Sequence, residues 1–196
     1  PLNYTNEGPT FIGCHYLAAK YGVWFNILTF FTLESCVIDI IDKHALFING
    51  CERSTLNQVW LGVRNDYEGN ESETAAACVV TSSKIINLNN VILLAATREE
   101  GMLVQESERI NITNLTNASV TATPFNLRIN PTVENSQVNG RLHSINIINY
   151  STSVRIPDYS SSNYNQFLLP ATIGTGESPD ITLQNKYGNR IGQLDG

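Results

Sequence analysis

Six short segments of this chain are near copies of one another: Thr10-Phe11-Ile12, Thr32-Leu33-Glu34, Thr55-Leu56-Asn57, Asn87-Leu88-Asn89, Asn111-Ile112-Thr113 and Thr132-Val133-Glu134. The steps between them are 22, 23, 32, 24 and 21 residues. A second, apolar ladder runs beside the first through Phe25, Phe47, Val79, Leu103 and Leu127, with steps of 22, 32, 24 and 24. The two ladders share one period and one long step. A repeat of this length builds stacked units that each touch only their neighbours, so the spacing alone restricts the chain to a solenoid.

The residue types decide which solenoid. Leucine-rich repeats of similar length carry a recurring LxxLxL strand and a fixed Asn, and that pattern does not recur here. Helical repeats need apolar residues at three- and four-residue spacing over ten or more positions. The segments here are instead short and rich in Ile, Val, Thr and Phe. Pairs such as Ser82-Ser83, Asn89-Asn90, Glu106-Ser107 and Asn139-Gly140 punctuate them. That is strand and turn chemistry. The expectation is an all-β parallel β-helix, a single-stranded solenoid. Phe25, Phe47, Val79, Leu103 and Leu127 are expected to form one interior file. Asn57 and Asn89, one coil apart, are expected to join in a ladder of stacked amides.

The long step marks an insertion between Asn57 and Val79. The polar run from Gly62 to Thr74 fills it and reads as a loop thrown out from the coils near residues 62–75, since insertions in repeat proteins collect on one face. Coils are expected over residues 1–150. Beyond Tyr150 the period fades, and residues 151–196 read as a short, irregular, β-rich C-terminal tail that packs on the solenoid or on other subunits. The repeat is already running at Thr10, and Pro1 stands first rather than Met. The N-terminal end is therefore expected to be covered by further chain of the same protein.

Composition narrows the partners. Charged residues make up 15% of the 196 residues, below the roughly 25% of an average globular domain. Asn, Ser and Thr fill the deficit, as suits an extracellular surface. The net charge is −6 and no basic run exists, which argues against nucleic acid. No apolar stretch is long enough to insert in a membrane as a helix. Cys14, Cys36, Cys51 and Cys78 form no CxxC pair and His is scarce, so neither a metal site nor a cofactor is expected. Cys14 and Cys36 share a repeat position, and the favoured reading is a reduced, buried stack.

The coils His44–Ile48 through Cys51 and Gly101–Ile112 resemble those of the right-handed parallel β-helix proteins of the pectate-lyase superfamily. With an open first coil and an aperiodic tail, the chain is most similar to the C-terminal part of a bacteriophage tailspike. The resemblance is architectural, covers about residues 8–150 and rests on no signature motif. It implies a homotrimer on the virion tail, outside the cell, that binds and often cleaves bacterial surface polysaccharide such as lipopolysaccharide O-antigen or capsule.

Glycoside cleavage needs two carboxylates, about 5–5.5 Å apart for retention and about 6.5–9.5 Å apart for inversion. The loop supplies Asp66, Glu68 and Glu71 as catalytic candidates, with Tyr67 and nearby Trp60 as sugar-stacking surfaces. Glu34 is a further acid on the coils, and its register partners Asn57 and Asn89 are amides suited to sugar hydroxyls. Each has a plainer reading: loop acids solvate exposed loops, Glu34 is a polar turn residue, and Trp60 packs inward or between subunits. A non-catalytic adhesive β-helix and a secreted lyase of pectate-lyase type are the competing functions. The lyase is the weaker, because Asp39 and Asp42 have no convincing basic neighbour in sequence. No GxSxG motif or phosphate-binding loop supports other chemistry.

Overall fold

The computed structural model describes residues 7–64, 76–94, 100–118, 125–156, 167–168, 181–184 and 190–194. These residues form strands and corners, with no helix among them. The first rung holds β1 (Thr10–Ile12), β2 (His15–Ala19) and β3 (Val23–Asn26). The second holds β4 (Thr32–Glu34), β5 (Val37–Ile41) and β6 (Leu46–Asn49), and the third β7 (Glu52–Asn57), β8 (Trp60–Val63) and β9 (Cys78–Thr81). In the next two rungs the first two strands fuse, as β10 (Lys84–Leu94) followed by β11 (Glu100–Gln105), and β12 (Glu108–Asn117) followed by β13 (Phe125–Ile129). The last full rung holds β14 (Ser136–His143) and β15 (Ile145–Asn149).

Each rung pairs in parallel with the next, making a parallel β-solenoid of about five turns. One sheet runs β1-β4-β7-β10-β12-β14, with β2, β5 and β8 as its second arm; the other runs β3-β6-β9-β11-β13-β15. Pairing continues past Tyr150, where the sequence period fades. There β16 (Val154–Arg155) adds to β14 and β17 (Phe167–Leu168) adds to β15. Further on, β18 (Ile181–Gln184) and β19 (Arg190–Leu194) form an antiparallel pair of their own.

The register follows the first sequence ladder for four of its steps. Thr10, Thr32, Thr55, Asn87 and Asn111 stand on consecutive rungs as direct partners. The fifth step corrects the reading. Asn111 pairs with Gln137, a step of 26 residues (137 − 111), and not with Thr132. One added residue lies in the turn closed by Val133 N–H to Asn130 O, across which the offset between rungs grows from 25 (129 − 104) to 26 (134 − 108). Thr132 sits in that corner, where its hydroxyl meets Glu106 N–H at 2.9 Å.

The core is a set of inward columns. Leu33, Leu56, Leu88, Ile112 and Val138 stack in the first sheet; Leu46, Cys78, Met102, Leu127 and Ile147 stack in the second. All are buried. The expected file of Phe25, Phe47, Val79, Leu103 and Leu127 is not one column. Phe47, Val79 and Leu103 do share a column, but on the opposite face of the strand from Leu46 and Ile48, with Trp24 before them and Arg128 after. Phe25 pairs with Ile48 and Leu127 with Met102, so both belong to inward columns. Side chains alternate faces along a strand, and a one-residue slip moves a residue to the other face. The second sheet is apolar on both faces here, so hydrophobicity could not reveal the slip.

The corners repeat as faithfully as the strands. Between the two arms of the first sheet stand Gly13, Ser35, Gln58, Asn90, Asn114 and Gly140, with φ of 63°, 52°, 52°, 53°, 57° and 76°. A single left-handed residue bends the chain, at a cost of roughly 1–2 kcal/mol for a residue with a Cβ, least for Asn. Hydrogen bonds between rungs offset it. Ser35 N–H donates to Asn57 O and Gln58 N–H to Asn89 O, at 2.9 and 3.0 Å. Asn114 Nδ2 donates to Asn90 Oδ1 at 2.9 Å, while Asn114 Oδ1 accepts from Arg141 N–H at 2.8 Å.

Candidate functional site

Because inward positions are apolar, the residues that can meet a ligand lie on the outward faces and at the corners. On the first arm of the first sheet two outward columns run side by side. One holds Thr10, Thr32, Thr55, Asn87, Asn111 and Gln137; the other holds Ile12, Glu34, Asn57, Asn89, Thr113 and Asn139. Rungs are spaced about 4.8 Å apart, so hydroxyls and amides recur at that interval along the solenoid axis. Asn111 Nδ2 donates to Asn87 Oδ1 at 2.8 Å. Such bonds between rungs fix the side chains while leaving each amide further hydrogen-bonding capacity.

Glu34, Asn57 and Asn89 therefore stand together on consecutive rungs. Asn57 Nδ2 donates to both carboxylate oxygens of Glu34, at 2.9 and 3.1 Å. Asn57 Oδ1 in turn accepts from Asn90 Nδ2 at 3.4 Å. The other register neighbour of Glu34 is Ile12. Glu34 is thus an acceptor within an amide row, with no second carboxylate in register beside it.

Trp60 lies round the corner, on the second arm, in a column with Val37 and Ile92. Its Nε1 is buried without a hydrogen-bond partner. Asp39 and Gly62 crowd it: a Cβ on Gly62 would lie 1.9 Å from Asp39 Oδ1 and 3.1 Å from Trp60 Nε1. The partly buried Trp60 therefore does not present its indole N–H to a ligand. Asp66, Tyr67, Glu68 and Glu71 lie outside the described residues. The feet of the segment that carries them are described. Arg64 pairs with Asp42, and His44 Nδ1 meets Ala76 O at 2.7 Å.

Among the described residues, register places one carboxylate pair on consecutive rungs, Glu108 and Glu134. Lys84 Nζ lies 3.7 Å and Arg109 Nε 3.2 Å from Glu108, so cations counter its charge. Glu100, buried, pairs with Arg128 Nη2 at 2.5 Å. No cluster of three or more His, Cys, Asp or Glu that could hold a metal ion occurs among the described residues. No described helix is long and apolar enough to cross a membrane.

The four cysteines are free thiols, with Cys14 exposed and Cys36, Cys51 and Cys78 buried. Burial pushes the Cys78 thiol up from 9.0 to about 12. Burial also raises Cys51, against the opposing effect of hydrogen bonds with the backbone of Leu28, Asn49 and Ile27.

The sequence reading passed over Lys20, Tyr21, Trp24 and Lys43, which gather around Phe47 on the outer face of the second sheet and at the corner leading into it. The signal was present in the apolar ladder: placing Phe47 one position out of the core would have paired it with Trp24. No protein-family model and no curated protein matches this chain.

Proposed function

We propose that this chain is a receptor-binding β-solenoid of bacteriophage tailspike type, which binds bacterial surface polysaccharide as a homotrimer on the virion tail. The observation that carries this reading is the paired outward columns of Thr, Asn, Gln and Glu on the first sheet. A linear glycan repeats its hydroxyls along its length, and a solenoid repeats donors and acceptors along its axis at one rung spacing. Rigid, mutually bonded amides also lose little side-chain freedom when a ligand docks. The parallel β-solenoid architecture and the low charge of the surface agree with it.

Depolymerisation belongs to the same proposal as its finer part, with Asp66, Glu68 and Glu71 as the acids. Incubating the protein with purified O-antigens and capsules tests both parts. Binding with shortened oligosaccharides is expected, and Asp66→Asn, Glu68→Gln or Glu71→Gln is expected to reduce turnover at least 100-fold. Turnover untouched by all three removes the loop from the chemistry. Failure to bind any surface polysaccharide removes the function. One observation favours a second reading, a non-catalytic adhesin: Glu34 is tied to Asn57 and has no carboxylate in register beside it. That reading predicts binding with no products.

A further inference from the structure

Cys14 and Cys36 stand one above the other where the two arms of the first sheet meet. Backbone hydrogen bonds tie the first rung to the second on either side of the pair. Gly13 N–H donates to Glu34 O and Val37 N–H to Cys14 O, both at 2.9 Å. The second of these bonds recurs up the solenoid, from Trp60 N–H to Cys36 O and from Ile92 N–H to Val59 O, also at 2.9 Å. Cys14, Cys36 and Val59 therefore hold one position on three consecutive rungs. Cys36 and Val59 are buried, so the column points inward, and Cys14 heads it on the first rung. The stacking expected from the sequence is there, but Cys14 is exposed rather than buried.

The thiols follow their backbones. Each lies near the carbonyl two residues before it, Cys14 Sγ 3.7 Å from Ile12 O and Cys36 Sγ 3.4 Å from Glu34 O. Cys36 Sγ also lies 3.4 Å from Phe11 O, so it already reaches the first rung. Rungs about 4.8 Å apart place the two Cα atoms within the span that a disulfide bridges. The exposed Cys14 side chain is free to change rotamer and turn toward Cys36. The other two cysteines have no such neighbour: Cys78 stands between Leu46 and Met102, and Cys51 N–H donates to Ser83 Oγ at 3.1 Å. The pair also sits where the solenoid is weakest. All of β1 and four of the five residues of β2 are exposed. Among the described residues β2 pairs with β5 alone, whereas β5 pairs with β2 and β8. A rung bonded on one side opens at a lower free energy than one bonded on both.

We propose that Cys14 and Cys36 form a thiol–disulfide switch that clamps the first rung to the second, with a low-molecular-weight disulfide of the glutathione class as its oxidant. The Cys14 thiolate attacks one sulfur of the reagent, whose S–S bond breaks and releases one thiolate. Cys36 gives up its proton and attacks the Cys14 sulfur of the mixed disulfide, expelling the second thiolate. Two protein thiols are oxidised to one disulfide and the reagent is reduced to two thiols, which take up the two protons. The bond closes a loop of one coil across the rung that opens most readily. The switch does not depend on what the polar columns bind.

Glutathione buffers running from all thiol to all disulfide make the test. The folded protein is equilibrated in each, remaining thiols are trapped with N-ethylmaleimide, and the peptides are mapped by mass spectrometry. The expected product is an intrachain Cys14–Cys36 disulfide, with Cys51 and Cys78 recovered as trapped thiols. Amide hydrogen exchange in β1 and β2 is expected to slow by about 100-fold in the oxidised protein. Cys14→Ser should exchange at the reduced rate in every buffer. Cys36→Ala should leave Cys14 as its mixed disulfide with glutathione, which isolates the first step. In the unaltered chain, Cys14 recovered only as a glutathione adduct, or joined to a second copy, overturns the switch. A chain that keeps all its thiols through the series overturns it too. A Cys14–Cys36 disulfide that leaves exchange in the first rung unchanged overturns the clamp.

Discussion

Thr55, Leu56 and Asn57 pair residue for residue with Asn87, Leu88 and Asn89 on the next rung, and those with Asn111, Ile112 and Thr113 on the one after. A few residues later the same rungs stop matching. From the end of the first sheet to the start of the second the chain passes from Ile41 to Leu46 on one rung and from Val63 to Cys78 on the next. The first arm of the first sheet obeys a register, while this corner tolerates any length. The difference is physical. An arm residue is bonded above and below and faces either the core or a fixed row of amides, so adding or removing one residue throws every later side chain to the wrong face. A corner need only return the chain to the next strand, and lengthening it costs little because loop-closure entropy grows slowly with length. Regular surface for repetitive contact lies on the arm. Variable surface, with the aromatic and lysine cluster, lies beside the corner.

Substitutions that strike the arm and spare the corner should separate the two most widely. Leu88 is fully buried in the inward column of the first sheet. Leu88→Ala should cost about 2–5 kcal/mol, read from the denaturant midpoint, whereas replacing residues 66–74 by a flexible segment half as long should change stability by about 1 kcal/mol or less. Equal losses would erase the distinction.

Close approaches sharpen it. At Gly22 the obstacle is backbone, the carbonyl of Ala45; at Gly62 it is a side chain, the carboxylate of Asp39. Gly22→Ala should therefore cost about 1–3 kcal/mol with no simple rescue. Gly62→Ala should cost less, and a second change, Asp39→Ala, should recover most of the loss in a thermal melt. A still smaller effect is expected where the arms turn. Asn114→Ala removes the amide that bonds Asn90 and Arg141 N–H and should cost about 1 kcal/mol by denaturant titration.

Alkali reads the core in another way. The Cys78 thiol is pushed up to about 12 by burial, from 9.0. The folded state favours its protonated form, so the contribution is complete below pH 9 and is lost as the pH rises from 9 towards 12. Stability should fall through that window, less steeply in Cys78→Ala. At pH 8 a thiol reagent should label exposed Cys14 at once and Cys78 only on unfolding.

The same contrast explains how much could be read from the residues. Four steps of the Thr and Asn ladder translate directly into register because each segment opens on an outward Thr or Asn followed by Phe, Leu or Ile on the other face, a pattern with only one sensible phase. That is why Glu34, Asn57 and Asn89 could be placed together from spacing alone. The fifth step failed at Thr132-Val133-Glu134, a corner sequence that mimics an arm. The apolar ladder failed in phase because Trp24 and Phe47 make the outside of the second sheet as apolar as its inside. The cluster of Tyr21, Trp24 and the two lysines was hidden for the same reason. The loop acids Asp66, Glu68 and Glu71 lie outside the described residues, so their roles rest on sequence reasoning.

Register along the first arm is the claim on which the columns, the corners and both proposals depend, and a cross-link reads it directly. Thr55 and Asn87 are 32 positions apart in the chain (87 − 55) but direct partners on adjacent rungs, at a Cα separation of about 4.8 Å that a disulfide accepts. In a chain with Cys14→Ser, the pair Thr55→Cys with Asn87→Cys should form that disulfide on mild oxidation, identified by mass spectrometry of its peptides. The pair Thr55→Cys with Asn111→Cys, two rungs apart, should not. Cross-linking of the second pair as readily as the first, or of neither, would contradict the stacking.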